Sequence, residues 1–202
     1  MSTRYPVLSS EKVFQGKVIG VRVDRVRMPD GAIGAREIVS HPGAVGIVAV
    51  DDADRLILVR QYRPAVGEWF DELPAGLLDV HGEPALEAAQ RELYEEAAVR
   101  AADWQVLLDL HTSPGMTNEV IRIYLARELT DVADGERHAA EGEELELTVR
   151  HVPLDDAVAE ALAGTLTNAA AVAGVLAAGE ARSSDWKGLR SADAPWPALP
   201  GR

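Results

Sequence analysis

Hydrophobic and polar positions alternate along the first forty residues with the period of β-strands. The apolar positions of this alternation are Val13, Val18, Val21, Val23, Val26 and Met28. The turn-forming run Pro29-Asp30-Gly31 interrupts it, and residues 35–39 follow as a candidate partner strand. A sheet this small cannot build a core of its own. We therefore predict that residues 1–41 form an antiparallel β-sheet appendage that packs on the main domain or on a second subunit.

Beyond this segment, strand-like and helix-like patterns are mixed. Residues 44–50 and 56–61 are apolar, and the acidic run at 51–54 between them predicts a second hairpin. We predict an α/β domain over residues 42–180, followed by a C-terminal tail at 181–202 that has no hydrophobic period. The other predicted elements are strands at 104–110, 120–126 and 145–152, a helix that opens at Glu83-Pro84, a helix at 155–163 capped by Asp155, and a helix at 169–178 capped by Asn168.

Three carboxylates lie close together on the first predicted helix. Glu92 and Glu96 are four residues apart, so both project from one face at a spacing of roughly 6 Å, and Glu95 flanks them. Like charges this close repel each other unless a cation joins them. Such an oxygen-rich cluster suits Mg²⁺ or Mn²⁺. The alternative is a solvated acidic helix face, which is common on amphipathic helices.

Composition narrows the possible functions. The chain has 202 residues, 47% of them hydrophobic, which is enough for one domain with a full core. Its net charge of -13 opposes binding to nucleic acid or an anionic membrane. No apolar run approaches the roughly 18 residues needed to cross a bilayer, and the first residues lack a signal-peptide core, so we expect a cytoplasmic protein. The absence of cysteine excludes disulfides and thiolate metal sites.

The run Arg91-Glu92-Leu93-Tyr94-Glu95-Glu96, together with Gly76 and Glu83, resembles the box of the Nudix hydrolases, GX5EX7REUXEEXGU with U an aliphatic residue. The resemblance implies an α/β/α sandwich with a mixed sheet over residues 42–180. Two departures occur. Six residues instead of five separate Gly76 from Glu83, and Ala98 stands where the pattern has glycine. If that position is left-handed, Ala98 is strained there, or the helix runs longer or exits differently.

Several segments are similar to the ADP-ribose pyrophosphatases within this family. They are Arg60-Gln61-Tyr62-Arg63 ahead of Glu72-Leu73-Pro74-Ala75-Gly76, the run Ser113-Pro114-Gly115, and the N-terminal β appendage. A proline about 15 residues beyond the box is the family's marker for ADP-ribose, and Pro114 follows Val99 by 15 positions. An ordinary turn is the alternative for Pro114. The resemblance implies a homodimer that hydrolyses ADP-ribose to AMP and ribose 5-phosphate with Mg²⁺ or Mn²⁺.

The resemblance also implies roles for individual residues. Glu92 and Glu96 would bind the metal together with the backbone carbonyl of Ala75, while Glu95 assists and Arg91 orients the glutamates. In the acidic segment before a late strand, Glu141 would be the general base and Glu143 a further metal ligand, with the two roles interchangeable. A solvated acidic loop is the alternative there. The substrate contacts implied are Arg36, Arg60, Glu72, Leu77, Ser113, Pro114, Gly115 and Glu119.

Other functions remain open at this level. The same chemistry could act on another nucleoside diphosphate sugar, such as GDP-mannose. A Nudix-like module could instead bind ADP-ribose without cleaving it, although a binder has no chemical need for so many carboxylates. A plain acidic interaction domain would have to explain the box spacing as coincidence.

Overall fold

The computed structural model describes residues 5–140 and 142–199. The strands in these residues are β1 (Val7–Gln15), β2 (Gly20–Arg27), β3 (Ile33–Ser40), β4 (Ala44–Ala49), β5 (Arg55–Arg63), β6 (Glu68–Glu72), β7 (Ala75–Leu77), β8 (Val99–His111), β9 (Val120–Asp131), β10 (Thr148–Pro153) and β11 (Arg190–Ser191). The helices are α1 (Ala85–Ala97), α2 (Leu154–Ala163) and α3 (Ala169–Ser183), with short 3₁₀ turns at Asp134–Glu136 and Gly142–Glu146.

These strands form three sheets. The N-terminal sheet has the order β1-β2-β3 and is antiparallel, as the alternation of its sequence predicts. A five-stranded sheet has the order β11-β8-β9-β4-β7, and a second three-stranded sheet has the order β10-β5-β6. In the five-stranded sheet β4 runs parallel to β9 and antiparallel to β7, so the sheet is mixed.

Strand β4 lies at the centre of an α/β/α sandwich. Val45 and Ile47 point into a buried cluster with Leu93 of α1, whereas Val48 points into the opposite cluster with Val175 of α3. Both faces of the strand are therefore covered by helices, which explains why its sequence is continuously apolar. The predicted fold, a mixed-sheet sandwich with N-terminal antiparallel strands, is confirmed.

The predicted second hairpin is wrong in its pairing. Strands β4 and β5 form at the expected places, but they belong to different sheets and meet only in a bridge between Val50 and Leu56. Both edges of β4 are already paired, with β7 on one side and β9 on the other. Because a strand has only two edges, β5 pairs instead with β6 and β10.

The helix ends agree only in part with the predictions. Asn168 caps α3 as predicted, because its side-chain oxygen accepts from the amide of Ala171 at 3.0 Å. The predicted Asp155 cap of α2 is wrong: the helix begins one residue earlier, and Pro153 stands at the cap position without a side-chain hydrogen bond. Asp155 instead lies in the first turn, where its charge favours the helix dipole.

The C-terminal residues pack on the domain. Helix α3 continues to Ser183, β11 pairs with β8, and Leu199 is only 7% exposed. The segment contacts the domain at a few separate residues and not along one continuous face. Its sequence therefore shows no hydrophobic period. Within the described parts of the chain, no helix combines the length and the apolar surface needed to span a bilayer.

Candidate active site

One guanidinium group joins a carboxylate that precedes α1 to two carboxylates on the helix. Arg91 donates from Nε and Nη2 to the two carboxylate oxygens of Glu83, at 2.9 and 3.0 Å. Its Nη1 donates to Oε1 of Glu92 at 2.7 Å and to Oε2 of Glu95 at 3.0 Å. Glu83 precedes the helix, so this pairing ties the preceding loop to the helix face that carries the other glutamates.

The charges of this cluster are unbalanced. The hydrogen bond from Arg91 holds the pKa of Glu83 below its usual value. Burial raises the pKa of Glu92, and repulsion from Glu95 and Glu83 adds to that effect, while Arg91 partly opposes it. The hydrogen bond to Glu83 has the largest effect on the pKa of Arg91 and raises it, and Glu92 and Glu95 raise it further. One arginine therefore does not neutralise the cluster, and the charged form of Glu92 is only partly compensated.

Strand β7 holds two of the glutamates against the sheet. The amide of Ala75 donates to Oε2 of Glu96 at 2.9 Å. The Glu92 side chain lies directly on Gly76, where a Cβ atom would come 1.9 Å from Oε1 of Glu92. Gly76 is therefore required by close approach and not by a left-handed backbone, which explains the glycine of the box.

The sequence allowed three kinds of exit from α1, and the structure shows the strained one, with Ala98 in a left-handed conformation. Ala98 is left-handed, with φ 52° and ψ 41°, and its amide caps the carbonyls of Leu93 and Tyr94. The helix neither runs longer nor exits differently. Alanine therefore occupies a conformation that favours glycine.

The donor set suits a hard cation, although it is not arranged as a finished site. In residues 5–140 and 142–199, no group of three or more histidine and carboxylate side chains is positioned to hold a metal ion. The carboxylates of Glu92 and Glu95 bind Arg91, and that of Glu96 binds the Ala75 amide. The candidate ligands, three glutamates of α1 and the carbonyl of Ala75, all offer oxygen atoms. Burial disfavours the negative charge of Glu92, and a bound dication would compensate that charge. The residues therefore fit Mg²⁺ or Mn²⁺.

A cavity of about 410 Å³ opens beside β7. Four predicted site residues line it together, namely Glu72, Ala75, Leu77 and Glu119. The Glu72 carboxylate is buried and accepts from Nε and Nη2 of Arg63 at 2.9 and 2.5 Å. Glu119 accepts from Oγ1 of Thr112 at 2.7 Å. The cavity thus combines two oriented carboxylates with the strand that contacts Glu92 and Glu96.

Other predicted substrate residues do not line this cavity. Arg60 is largely exposed and lies 3.5 Å from Asp71. Arg36 is exposed on β3, where Nη1 donates to the carbonyl of Ala35 at 2.7 Å. The run Ser113-Pro114-Gly115 is an exposed turn, whose Ser113 carbonyl accepts from two amides at 3.0 Å. The single chain therefore brings together only part of the predicted substrate set.

Sequence reasoning missed several residues of the site. The motif comparison includes Arg63 and Glu83 without a role for either. Each forms a bidentate ion pair, Arg63 with Glu72 and Glu83 with Arg91. Asn168 was recognised as a helix cap, and it also lines the cavity. The box glutamate before the helix was an available signal for Glu83. No signal in the sequence pointed to Thr112 or Asn168 as cavity residues.

A second cavity, of about 430 Å³, lies at the end of α1 and is lined by Glu95, Glu96 and the segment around Arg137 and His138. Tyr94 donates its hydroxyl to the carbonyl of Glu136 at 2.6 Å and so attaches that segment to the helix. Glu141 lies outside the described residues, and the side chain of Glu143 does too.

Comparisons with known proteins agree with this geometry. The model of the NUDIX domain matches residues 40–173, and the model of the nucleoside diphosphate sugar hydrolase N-terminal domain matches residues 6–39. The chain therefore belongs to the Nudix hydrolase family, as its sequence predicts.

Individual relatives cover most of the chain. It is 46% identical to an ADP-ribose pyrophosphatase of Mycobacterium tuberculosis, over 86% of this chain and 82% of the relative. It is 39% identical to an ADP-ribose pyrophosphatase of Bacillus subtilis, over 75% of this chain and 80% of the relative. The crystal structure of an ADP compounds hydrolase aligns with a TM-score of 0.76 at 26% identity, covering 91% of this chain and 96% of that structure.

Proposed function

We propose that this protein hydrolyses the pyrophosphate bond of ADP-ribose and releases AMP and ribose 5-phosphate. The observation that carries the proposal is that Ala75 and Gly76 of β7, which line the cavity, also contact Glu96 and Glu92. A pyrophosphate in this cavity would lie beside the glutamates. The similarity to two ADP-ribose pyrophosphatases over most of the chain supports this substrate.

Nudix hydrolases generally need a divalent metal, and here we assign Mg²⁺ or Mn²⁺. Glu92, Glu96 and the carbonyl of Ala75 would hold it, with Glu95 assisting. When bound, the ion would neutralise phosphate oxygens and make a water molecule easier to ionise. Arg91 positions Glu92 and Glu95 through its hydrogen bonds and does not touch substrate in this scheme.

A base must accept the proton of the attacking water. We assign this role to Glu141 and a further metal contact to Glu143, by resemblance to the family, with the two roles exchangeable. The attachment of the preceding segment to α1 through Tyr94 and Glu136 supports the assignment, because it brings this part of the chain to the end of the glutamate helix.

The cavity walls suggest how the two ends of the substrate are held. Glu119 lines the cavity together with Thr112 and suits the hydroxyls of the terminal ribose. Two hydrogen bonds from Arg63 hold the Glu72 carboxylate in one orientation. We assign the pair to binding of a ribose or of the adenine edge. Leu77 supplies an apolar wall.

We assign the remaining predicted contacts to a dimer of the chain. The N-terminal sheet exposes a group of large apolar side chains, among them Val7, Leu8, Val13, Phe14 and Ile33. Exposed apolar surface of this kind is typical of an interface. We propose that residues 1–41 mediate a homodimer with the domain at 42–180, and that Arg36 of one copy, with Arg60 and the 113–115 turn, completes the substrate pocket. Light scattering should then give twice the mass of the chain.

One experiment tests the activity. Purified protein is incubated with ADP-ribose and Mg²⁺, with and without a chelator, and the products are identified by ³¹P nuclear magnetic resonance. We expect AMP and ribose 5-phosphate only without the chelator. Glu92→Gln should abolish the reaction, whereas Glu87→Gln, an exposed position on the same helix, should leave it intact.

The same assay separates the alternatives. Faster cleavage of GDP-mannose than of ADP-ribose would replace the substrate but keep the chemistry. Tight binding of ADP-ribose without any product would identify a non-catalytic module instead.

A further inference from the structure

The C-terminal segment 190–199, here called the clasp, lies on the same side of the sheet as α1. It begins with β11, which pairs with Val106 and Gln105 of β8. Ala192 and Ala194 then pack against the buried cluster that contains Leu93 of α1. The clasp therefore shares its packing surface with the helix that carries the glutamates.

A buried arginine fixes the clasp in position. Arg122 on β9 is 2% exposed, and it donates to Asp109 from Nε at 2.7 Å and from Nη2 at 3.1 Å. It also donates to the carbonyls of Ala194 at 2.6 Å and Pro195 at 3.1 Å, and its Cζ lies 4.8 Å from the ring centre of Trp196. Buried ion pairs contribute little net stability, but their hydrogen bonds impose a geometry. Arg122 therefore sets where the backbone of the clasp runs.

The end of the clasp reaches the junction between β4 and β7. A Cβ atom on Gly43 would lie 3.0 Å from Cδ1 of Leu199 and 3.6 Å from Cδ1 of Leu78, so the two leucines fill adjoining space over this glycine. The amide of Leu78 donates to the carbonyl of Gly43 at 3.1 Å, directly after the pairing of Ala44 with Leu77. Leu199 thus packs where β7 ends.

We infer that the clasp is a positioning element of the active site, and that Leu199 and Arg122 act through β7 on Glu92 and Glu96. Strand β7 has only three residues, and it contacts both glutamates through Ala75 and Gly76. So short a strand needs support at its end to hold those contacts. The inference rests on the proposed function in expecting effects on turnover and on Mn²⁺ affinity, but not in expecting that the clasp supports β7.

The test compares Leu199→Ala with Val152→Ala, which truncates another nearly buried side chain in the opposite cluster. For each variant we would measure kcat and KM for ADP-ribose, the melting temperature, Mn²⁺ affinity by electron paramagnetic resonance, and hydrogen exchange of a peptide spanning 73–80. Leu199→Ala should lower kcat about tenfold by misplacing the glutamates. It should also weaken Mn²⁺ binding severalfold and speed exchange in the peptide, whereas Val152→Ala should change only the melting temperature.

A second variant and a rescue complete the design. Trp196→Leu, which weakens the clasp closer to Arg122, should produce the same changes to a smaller extent. Leu199→Met, which keeps the volume, should restore kcat and Mn²⁺ affinity. The inference is overturned if Leu199→Ala and Trp196→Leu melt earlier while kcat, Mn²⁺ affinity and exchange at 73–80 stay at wild-type values.

Failure of the proposed function would look different. If the wild-type protein cleaves no ADP-ribose and binds no Mn²⁺, the exchange measurement at 73–80 still decides whether the clasp supports β7. If the wild type is active and both clasp variants match it in every measurement, the inference fails and the proposed function stands.

Discussion

The carboxylate of Glu92 occupies the space where a side chain on residue 76 would begin. A Cβ atom there would come 1.9 Å from Oε1 and 2.1 Å from Cδ of Glu92. A separation of this size is far below van der Waals contact, so Gly76 and Glu92 form a single packing unit. The glycine of the box and Glu92 are thus required together.

Gly76→Ala should therefore displace Glu92. Gly76 is not among the glycines with positive φ, so any loss comes from the clash and not from backbone strain. A shift of the carboxylate by about 1 Å should lower kcat about 100-fold. Steady-state kinetics with ADP-ribose would measure it. Gly135→Ala, where a Cβ meets no atom within 4 Å, serves as the control, and equal activity of the two variants would contradict the packing argument.

Ala98→Gly should stabilise the protein. Ala98 holds a left-handed conformation at the end of α1, which costs an alanine about 1 kcal/mol relative to glycine. Relief of this strain should exceed the extra chain entropy of glycine and raise the melting temperature by about 2 °C. Urea unfolding checks the change. Ala140→Gly, outside any helix or strand, shows the effect of glycine on the unfolded chain alone, and a loss of stability in Ala98→Gly would refute the strain.

Arg91→Lys should damage the site although it keeps the charge. Lysine cannot reproduce the paired hydrogen bonds to Glu83 while also serving Glu92 and Glu95. Mutation of residues that orient metal ligands typically lowers activity or metal affinity about 10- to 100-fold. We therefore expect kcat to fall by about that factor and the Mg²⁺ concentration for half-maximal rate to rise. Initial rates across a Mg²⁺ titration provide the measurement. Arg100→Lys, whose guanidinium lies over the Tyr94 ring, should remain close to wild type.

Stability at low pH should depend on Asp109. Burial by itself would raise the pKa of Asp109, but hydrogen bonds from Arg122 and Arg190 outweigh it and hold the pKa below the usual value. A depressed pKa contributes stability that is complete above the unfolded pKa of about 4 and is lost as pH falls through the folded pKa. Asp109→Asn should be less stable than wild type at pH 7, and the difference should shrink below about pH 4. Urea unfolding at about pH 7 and again at about pH 3 tests the sign, and an equal difference at the two pH values would contradict it.

Glu141→Gln should abolish turnover while substrate binding persists, because a base is needed for the reaction and not for binding. Calorimetry with ADP-ribose and single-turnover assays would separate the two steps. If Glu143→Gln proves the more damaging change, the two roles are to be exchanged.

Local features of the site could be predicted without coordinates. The helix that carries Glu92 and Glu96 and the cap at Asn168 depend on neighbours within a few residues of each other in the chain. The sheet pairing could not be predicted in the same way. The acidic turn at 51–54 favours a hairpin, yet β4 pairs with β7 and β9, which lie much further along the chain.

Periodicity and caps were sufficient to predict an α/β domain and the position of the glutamate helix, because these patterns follow from backbone geometry over one or two turns. The family and its sandwich fold were predicted from the resemblance of residues 72–99 to the Nudix box. Three relationships emerged from the folded molecule alone: the pairing of Arg63 with Glu72, the joint hold of β7 on Glu92 and Glu96, and the reach of Leu199 to Gly43. Each depends on which strands share an edge and which segments share a face, and such competition between distant partners leaves no trace in local sequence.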